Sequence, residues 1–441
     1  MNASLDDRFA AAMGQLLGPN FPTEIALAVS GGGDSMAMLY LAHNWTRAWG
    51  VKLWVVTVDH GLRPESATEA AMVAGECATL GWPHATLRWH WDGAGNVMDA
   101  ARRARLSLID RWRGGIDHVL MAHTRDDVAE TFLMRLARGS GLDGLSAMRA
   151  SRQVRAVPDA LPPECSGACP PGSAGERFWI KRPCLDMDRA ELRHYLRTLR
   201  GRWVEDPSNE DPAYDRARMR RLLALLGAEG IGAATLAATA KRLREDRFAL
   251  IARAVDVWRA YGSAGHGTLS LDPDWHGPVE PGTQRRLLAA MLRYVSGAEY
   301  APRAEALEDL RQRVVSGGGG TLHGCEVQHV GGRPTVFREF AAVAQTRAVA
   351  GQHMHWDGRW RITDAAPSGL IVRALGEDGW QQLPDRPDDA PPHRIALSLP
   401  SLWDGARLVA CDAMGLGPGN TTVLPSDAPE PVRFARFLLM Q

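Results

Sequence analysis

Ala26-Leu27-Ala28-Val29-Ser30-Gly31-Gly32-Gly33-Asp34-Ser35-Met36-Ala37-Met38 decides how this chain folds. A short apolar run ends in Ser-Gly-Gly-Gly-Asp-Ser, and a helix-compatible run begins at once. The pattern predicts a strand, a tight turn and a helix. Consecutive glycines let the backbone take positive φ and approach a ligand without a Cβ in the way. The helix that follows aims unpaired N–H groups and a positive dipole end into the turn, which favours phosphate. Ser30 and Ser35 add hydroxyl donors, and Gly31, Gly32 and Gly33 form the cradle. Asp34 supplies a carboxylate able to hold Mg2+ or a substrate amine. No lysine follows the glycines, so this is not the Gly-x-x-x-x-Gly-Lys-Ser/Thr phosphate loop. A ligand-free connection is the competing reading, and this is a costly sequence for a mere connection.

Outward from that turn, apolar β-rich runs recur at Ile25–Val29, Leu53–Val58, Ala85–Trp89 and His118–Met121. Helix-like periodic stretches fill the gaps at Met36–Trp49, Glu65–Leu80, Val97–Trp112 and Asp126–Ala137. This alternation predicts an α/β fold, a doubly wound parallel sheet with helices on both faces. Ligands of such sheets sit beyond the carboxyl ends of the strands. Ser30–Ser35, Asp59-His60-Gly61 and His123 all fall there. Asp59 can bond a ribose hydroxyl or an adenine amine, although a capping role for its neighbours Pro64 and Glu65 explains that segment equally well. Asp127 and Glu130 stand three apart, so their carboxylates share a helix face. A cation between them gives the pair its best reason, with a solvated acidic first turn as the alternative.

Composition bounds the rest. A chain of 441 residues at ordinary apolar content makes two or three domains. Formal net charge is zero, which excludes binding to nucleic acid by bulk positive charge but not by local basic surface. No run approaches the roughly 18 apolar residues of a membrane span, and Met1–Phe9 lacks a signal-peptide pattern, so the expected compartment is the cytoplasm. Six scattered cysteines form no Cys-x-x-Cys motif; Cys165 and Cys169 are the one close pair, read as free thiols. The expected division is 1–213 for the nucleotide-binding sheet, 214–345 for a mainly helical domain and 346–441 for a small β-rich domain. Ser151–Arg177, rich in Pro, Gly and Ser, reads as a long surface loop. Ser316–Gly320 is a second glycine run, but a strand pattern follows it, so the phosphate argument fails there.

Three segments together carry a family resemblance: Ser30-Gly-Gly-Gly-Asp-Ser35, Val58-Asp-His-Gly-Leu-Arg-Pro-Glu-Ser66 and Ala122-His-Thr-Arg-Asp-Asp-Val-Ala-Glu-Thr131. The first resembles the PP-loop of ATP pyrophosphatases, and the set resembles bacterial tRNA(Ile)-lysidine synthetase. The likeness continues through Arg135–Leu145, Arg182-Pro-Cys-Leu-Asp186 and Trp203–Tyr214, about half the chain. It implies ATP and Mg2+ as cofactors, and L-lysine and a CAU-anticodon tRNA(Ile) as partners, with a monomer or homodimer and no membrane. It also implies catalytic roles for Asp34, His123 and Arg102, and lysine recognition by Asp127 and Glu130. Arg105 lies in the same active-site segment as Arg102 and is assigned to tRNA, with an exposed basic helix face as the alternative for both. The basic run Arg216, Arg218, Arg220 and Arg221 offers phosphate contacts to tRNA, with a solvated helix face as the alternative. Val128, Leu106 and Ala217 depart from the family pattern, which usually has Gln, Tyr and Asn there. A PP-loop enzyme that thiolates tRNA is the nearest alternative, and it would need a cysteine pair or a persulfide donor. A small-metabolite ligase and a non-catalytic RNA-binding module are further ones.

Overall fold

A computed structural model of the chain describes residues 3–440 except 63, 92, 94, 96, 147, 157–161, 206–214, 299, 353–354, 364–365, 385, 389, 418–422 and 425–429. The chain divides into two compact units, Met1–Arg247 and Phe248–Gln441. The expected break at 213/214 lies outside the described residues, as does most of the motif that runs to Tyr214. The finer division at 345/346 remains a proposal within the second unit.

The first unit opens with α1 (Leu5–Leu17), β1 (Glu24–Ala28), α2 (Gly33–Trp49), β2 (Lys52–Asp59) and α3 (Ser66–Leu80). It continues through β3 (His84–Arg88), α4 (Val97–Trp112), β4 (His118–Met121), α5 (Arg125–Ala137) and the single turn α6 (Leu142–Leu145). Strands β5 (Ser151–Arg155), β6 (Cys165–Gly167) and β7 (Arg177–Lys181) precede α7 (Arg189–Thr198), α8 (Asp215–Ala228) and α9 (Ala233–Tyr261), whose second half belongs to the second unit. The sheet order is β5-β7-β4-β1-β2-β3-β6. Its five central strands are parallel, while β5 and β6 run antiparallel at the two edges. Chain order reverses at β1, between β4 and β2. That reversal opens the crevice in which such sheets bind ligands.

Strand alternation sorts the side chains into two cores. Ile25, Leu27, Leu53 and Val55 point to one face and pack with Phe9, Met13, Met36 and Leu39 of α1 and α2. Ala26, Trp54, Val56 and Val119 point to the other and pack with Leu108, Ile109 and Trp112 of α4. The sheet is therefore covered on both sides, as its nearly continuous apolar strands require. Helix α1 was not expected from the sequence; Ser4 and Asp7 form a capping box that starts it.

The 151–177 segment corrects the loop expectation. Strands β5 and β6 sit inside it and close both sheet edges, pairing with β7 and β3. A fully buried arginine anchors its far end. Arg113 donates to Asp110 Oδ1 at 3.0 Å, to the Ile116 carbonyl at 2.8 Å and to the Gly175 carbonyl, and it stacks on Phe178 at 4.9 Å. Pro/Gly content pointed to irregular chain, but edge strands tolerate it because one side of their backbone stays unpaired.

The second unit holds more strand than the mainly helical reading of 214–345 expects. Gly262–Gly265 and Thr268–Leu271 are strands, and they extend an antiparallel five-stranded sheet with Arg333–Arg338, Cys325–Val330 and Gly320–Leu322. The helices Pro281–Ser296 and Ala304–Val315 supply Leu287, Met291 and Leu310 to its core. Smaller antiparallel sheets follow, around a core that includes Trp356, Trp360 and Trp403. The last helix, Glu430–Met440, does not join them. Its Phe434 lies 4.5 Å from Trp258 and belongs to the core of the five-stranded sheet. Among the described residues no single helix is long and apolar enough to cross a membrane.

Candidate active site

The glycine turn joins β1 to α2 at the chain reversal. Gly31 has φ +85°, a conformation that L side chains rarely adopt, and Gly32 caps α2 in extended backbone. Only the first of the three glycines is thus demanded by its own backbone; a Cβ at Gly33 would touch Arg193 and Trp203 at 3.5 Å, and one at Gly32 would lie 3.7 Å from Ser30 Oγ. Ser35 Oγ donates to the Gly32 carbonyl at 2.9 Å, accepts from Ser30 N at 3.2 Å and lies 3.2 Å from Ser30 Oγ. The two hydroxyls brace the turn from within, so it keeps its shape before any anion arrives. Val204 N donates to the Gly31 carbonyl at 2.9 Å, which fastens the Trp203–Glu205 segment alongside.

Asp34 stands in the first turn of α2, and α5 brings two more acids toward it. Thr124 caps α5, and Asp127 Oδ2 accepts from Thr124 N at 2.8 Å and from its Oγ1 at 3.1 Å. Glu130, one turn on, is wholly buried. The sequence reading places a substrate cation between these acids; the cation found there belongs to the protein. Arg189, first residue of α7, donates from Nε to Asp34 at 3.1 Å, from one Nη to Glu130 at 3.0 Å and from the other to Asp127 at 3.5 Å. Arg220 adds a 2.7 Å bond to the same Glu130 oxygen. Asp34 Oδ1 and Glu130 Oε2 remain buried without a partner. Sequence reasoning missed Arg189, although three acids at one sheet edge with no lysine nearby call for a counter-charge.

Burial sets the electrostatics. It raises the Asp34 carboxyl to about 6 against the pull of Arg189, with repulsion from Asp127 adding to the rise. Burial also opposes ionisation of Asp127, but the His123 ring, Arg189, Arg216 and the Thr124 amide outweigh it and hold that carboxyl below its ordinary value. Burial would lower Arg189; Asp127, Glu130 and Asp34 together hold it firmly charged, above its ordinary value. His123, just past β4, is pushed down to about 3 by burial and then by Arg182. Its Nδ1 accepts from Arg182 Nε at 3.1 Å, so the neutral ring carries its proton on Nε2.

A second, positive group adjoins these acids. Burial, then Arg216 and Arg102, depress Arg105, whose Nε is buried without a partner. Burial, then Arg152 and Arg102, bring Arg182 down to about 10. Among the described residues no ion pair includes Arg102, Arg105 or Arg216. The tRNA candidates on α8 therefore separate: Arg216 is exposed, Arg218 pairs with Asp215, and Arg220 turns inward to Glu130. Asp59 ends β2 and accepts from Gly61 N at 2.9 Å, closing its own turn with one oxygen. It also lines a cavity of about 440 Å³ with His84, Arg88 and Ser166. Val128 and Ala217, two of the departures from the family pattern, are buried, so the change there is one of packing. Cys165 and Cys169 lie 3.5 Å apart on and beside β6, at the sheet edge three strands from β1.

Buried neutral histidines make this unit acid-sensitive. His60 and His84 are each pushed down to about 4, chiefly by burial, and His123 to about 3. Below the unfolded value of about 6.5 the unfolded chain binds more protons at these rings, so their stabilisation falls as pH drops. Asp34, raised to about 6, works the other way and offsets part of that loss. Urea unfolding followed at pH 6 and pH 5 is expected to show a loss of about 1–3 kcal/mol, and His84→Gln to flatten that slope.

A family model described as a PP-loop domain matches residues 5–226. The tRNA(Ile)-lysidine synthase of Ruegeria pomeroyi is 40% identical over 416 residues, 92% of each chain. That of Hyphomonas neptunium is 38% identical over 331 residues, 72% of this chain and 82% of its own. Among solved structures, the U34-tRNA thiolase NcsA of Methanococcus maripaludis covers 54% of this chain and 79% of its own, at 15% identity and a TM-score of 0.41. With a PP-loop at the chain reversal, and with identity running across nearly the whole of both chains, this chain belongs to the tRNA(Ile)-lysidine synthase family.

Proposed function

We propose that the chain ligates L-lysine to C2 of the wobble cytidine, position 34, in a CAU-anticodon tRNA(Ile), using ATP and passing through an adenylated cytidine. The product is lysidine, which changes codon reading from AUG to AUA. On this reading the enzyme works in the cytoplasm as a monomer or homodimer. The observation that carries this reading is the meeting of a phosphate-binding turn with three carboxylates, two of their oxygens still unpartnered.

In the first step the cytidine O2 attacks the α-phosphorus of ATP and pyrophosphate leaves. The amides of Gly31–Gly33 and the start of α2 hold the phosphates, and Ser30 and Ser35 fix the turn. Among the described residues no three His, Cys, Asp or Glu side chains gather to hold a metal. During this first step a Mg2+ ion held by the nucleotide phosphates and Asp34 Oδ1 would supply charge neutralisation for departing pyrophosphate, and its departure with pyrophosphate would leave that oxygen to the lysine of the second step. Arg102, Arg105 and Arg216 offer positive charge to the phosphates of ATP and tRNA. His123 donates its Nε2 proton to an oxygen of the adenylate.

In the second step the ε-amine of lysine attacks C2, the C2–O bond breaks and AMP leaves. Lysine enters as ammonium, and making it neutral at pH 7 costs about 4–5 kcal/mol. Asp127 and Glu130 select the ammonium. Asp34, raised to about 6 by burial, accepts the proton that the attacking nitrogen loses. The thiolation reading lacks support, because the close cysteine pair lies at the far sheet edge. Pyrophosphate release and incorporation of labelled lysine, measured with CAU-anticodon tRNA with and without lysine, test the proposal. Pyrophosphate released without any lysine joined to the tRNA would overturn it.

A further inference from the structure

Arg189 raises a question that lysine ligation leaves open, since an arginine of the protein stands where the substrate's ammonium is expected. Two arrangements are conceivable: a plug that must leave, or a fixed part of the site. The surroundings of Arg189 favour the second. Its backbone N donates to Asp126 Oδ2 at 2.9 Å, so the residue is bonded to the first turn of α5 by its main chain. Arg125, the residue before Asp126, donates from its backbone N to the Met187 carbonyl at 2.9 Å and from Nη1 to both Asp188 oxygens at 3.0 Å. Glu191 closes the capping box of α7 on Asp188 and is itself held by Arg8 of α1 at 2.9 Å. The start of α7, and with it the backbone that carries the guanidinium, is thus pinned to α5 and α1.

Charge counting supports the same view. Asp34, Asp127 and Glu130 contribute three negative charges, and Arg189 and Arg220 two positive ones, in direct contact. Within this contact set one negative charge is left over, beside two buried oxygens without a partner, Asp34 Oδ1 and Glu130 Oε2. A single ammonium balances that deficit while Arg189 stays; with Arg189 displaced, the site would be left short by two charges before the lysine arrived.

We propose, building on the lysine-ligating function above, that Arg189 is a fixed positioning residue that ties the acids of α2 and α5 into one array and leaves two oxygens for a primary alkylammonium. The planar guanidinium suits this task because one fork reaches three carboxylates from two elements, which a lysine in its place could not do. Arg189 does not touch the reacting atoms. It acts through Asp34, Asp127 and Glu130, whose spacing sets the lysine site.

The test compares the full-length wild type with Arg189→Ala and Arg189→Lys in the complete reaction with tRNA, ATP and labelled lysine. In Arg189→Ala the KM for lysine is expected to rise about 30-fold or more while the KM for ATP moves by about threefold or less. Arg189→Lys should recover a small part of the loss, and guanidinium chloride at millimolar concentration should lower the lysine KM of Arg189→Ala but not of the wild type. A lysine KM that falls would show a plug that competes with substrate, and overturns the proposal. An unchanged lysine KM, or a loss that guanidinium does not relieve, overturns it too. If Arg189→Ala does not fold, the lysine KM of Arg189→Lys decides, read against its melting temperature. A wild type that joins no lysine to tRNA would instead refute the ligation reading, so the two failures are told apart.

Discussion

Asp34→Ala is expected to lower pyrophosphate release by about a hundredfold to a thousandfold at saturating ATP and tRNA, the size of effect seen when a preorganised electrostatic group is removed. The loss should not come from unfolding. Asp34 is a strained resident of the site: burial raises its carboxyl to about 6, and one of its oxygens has no partner. Removing it relieves that cost, and Arg189 keeps Asp127 and Glu130. The melting temperature is therefore expected to hold within a few degrees. Asp34→Asn separates charge from shape, because it preserves the 3.1 Å reach toward Arg189 but cannot carry a negative charge. It should be nearly as inactive as Asp34→Ala. Pyrophosphate release that survives in either variant, assayed across a range of Mg2+ concentrations, would remove Asp34 from the adenylation step.

Much of this site can be read in the chain because its parts are local. A strand, a glycine turn and a helix start lie within about ten residues, and the Thr124-to-Asp127 capping box announces α5 just as directly. The strand His118–Met121 and the helix Val97–Trp112 fall where periodicity puts them. What the sequence hides is long-range. Arg189 lies 155 positions from Asp34, and no local pattern says that α7 will place its first residue over α5. Arg220 looks like its neighbours Arg218 and Arg221, yet a buried glutamate 90 positions earlier turns it inward. The edge strands β5 and β6 are hidden for another reason: pairing with β7 and β3 overrides a composition that locally favours a loop. Charge balance is the exception among long-range signals, since three acids predicted at one sheet edge already demand a cation.

Glu130→Gln addresses that balance from the other side and is expected to raise the KM for lysine by about 30- to 300-fold, equivalent to about 2–3 kcal/mol. The amide can keep its carbonyl oxygen where Oε1 accepts from Arg189 and Arg220 at 3.0 and 2.7 Å. Its NH2 group then replaces Oε2, the buried oxygen that has no partner in the native site. A donor would face the incoming ammonium in place of an acceptor, and the one-charge deficit that draws lysine would vanish. Adenylation depends on the turn and on Asp34 and should fall far less, so the ratio of lysine KM to ATP KM is the informative number. Some stability must be lost as well, because two arginines now share a neutral partner; a buried ion pair broken outright costs about 3–5 kcal/mol, and the retained carbonyl keeps this case below that. Combining Glu130→Gln with Arg189→Ala should give less than the sum of the single effects on lysine KM, since both remove parts of one array. Strict additivity would mean that Glu130 and Arg189 act on lysine independently, and that Glu130 meets the ammonium without the arginine's help.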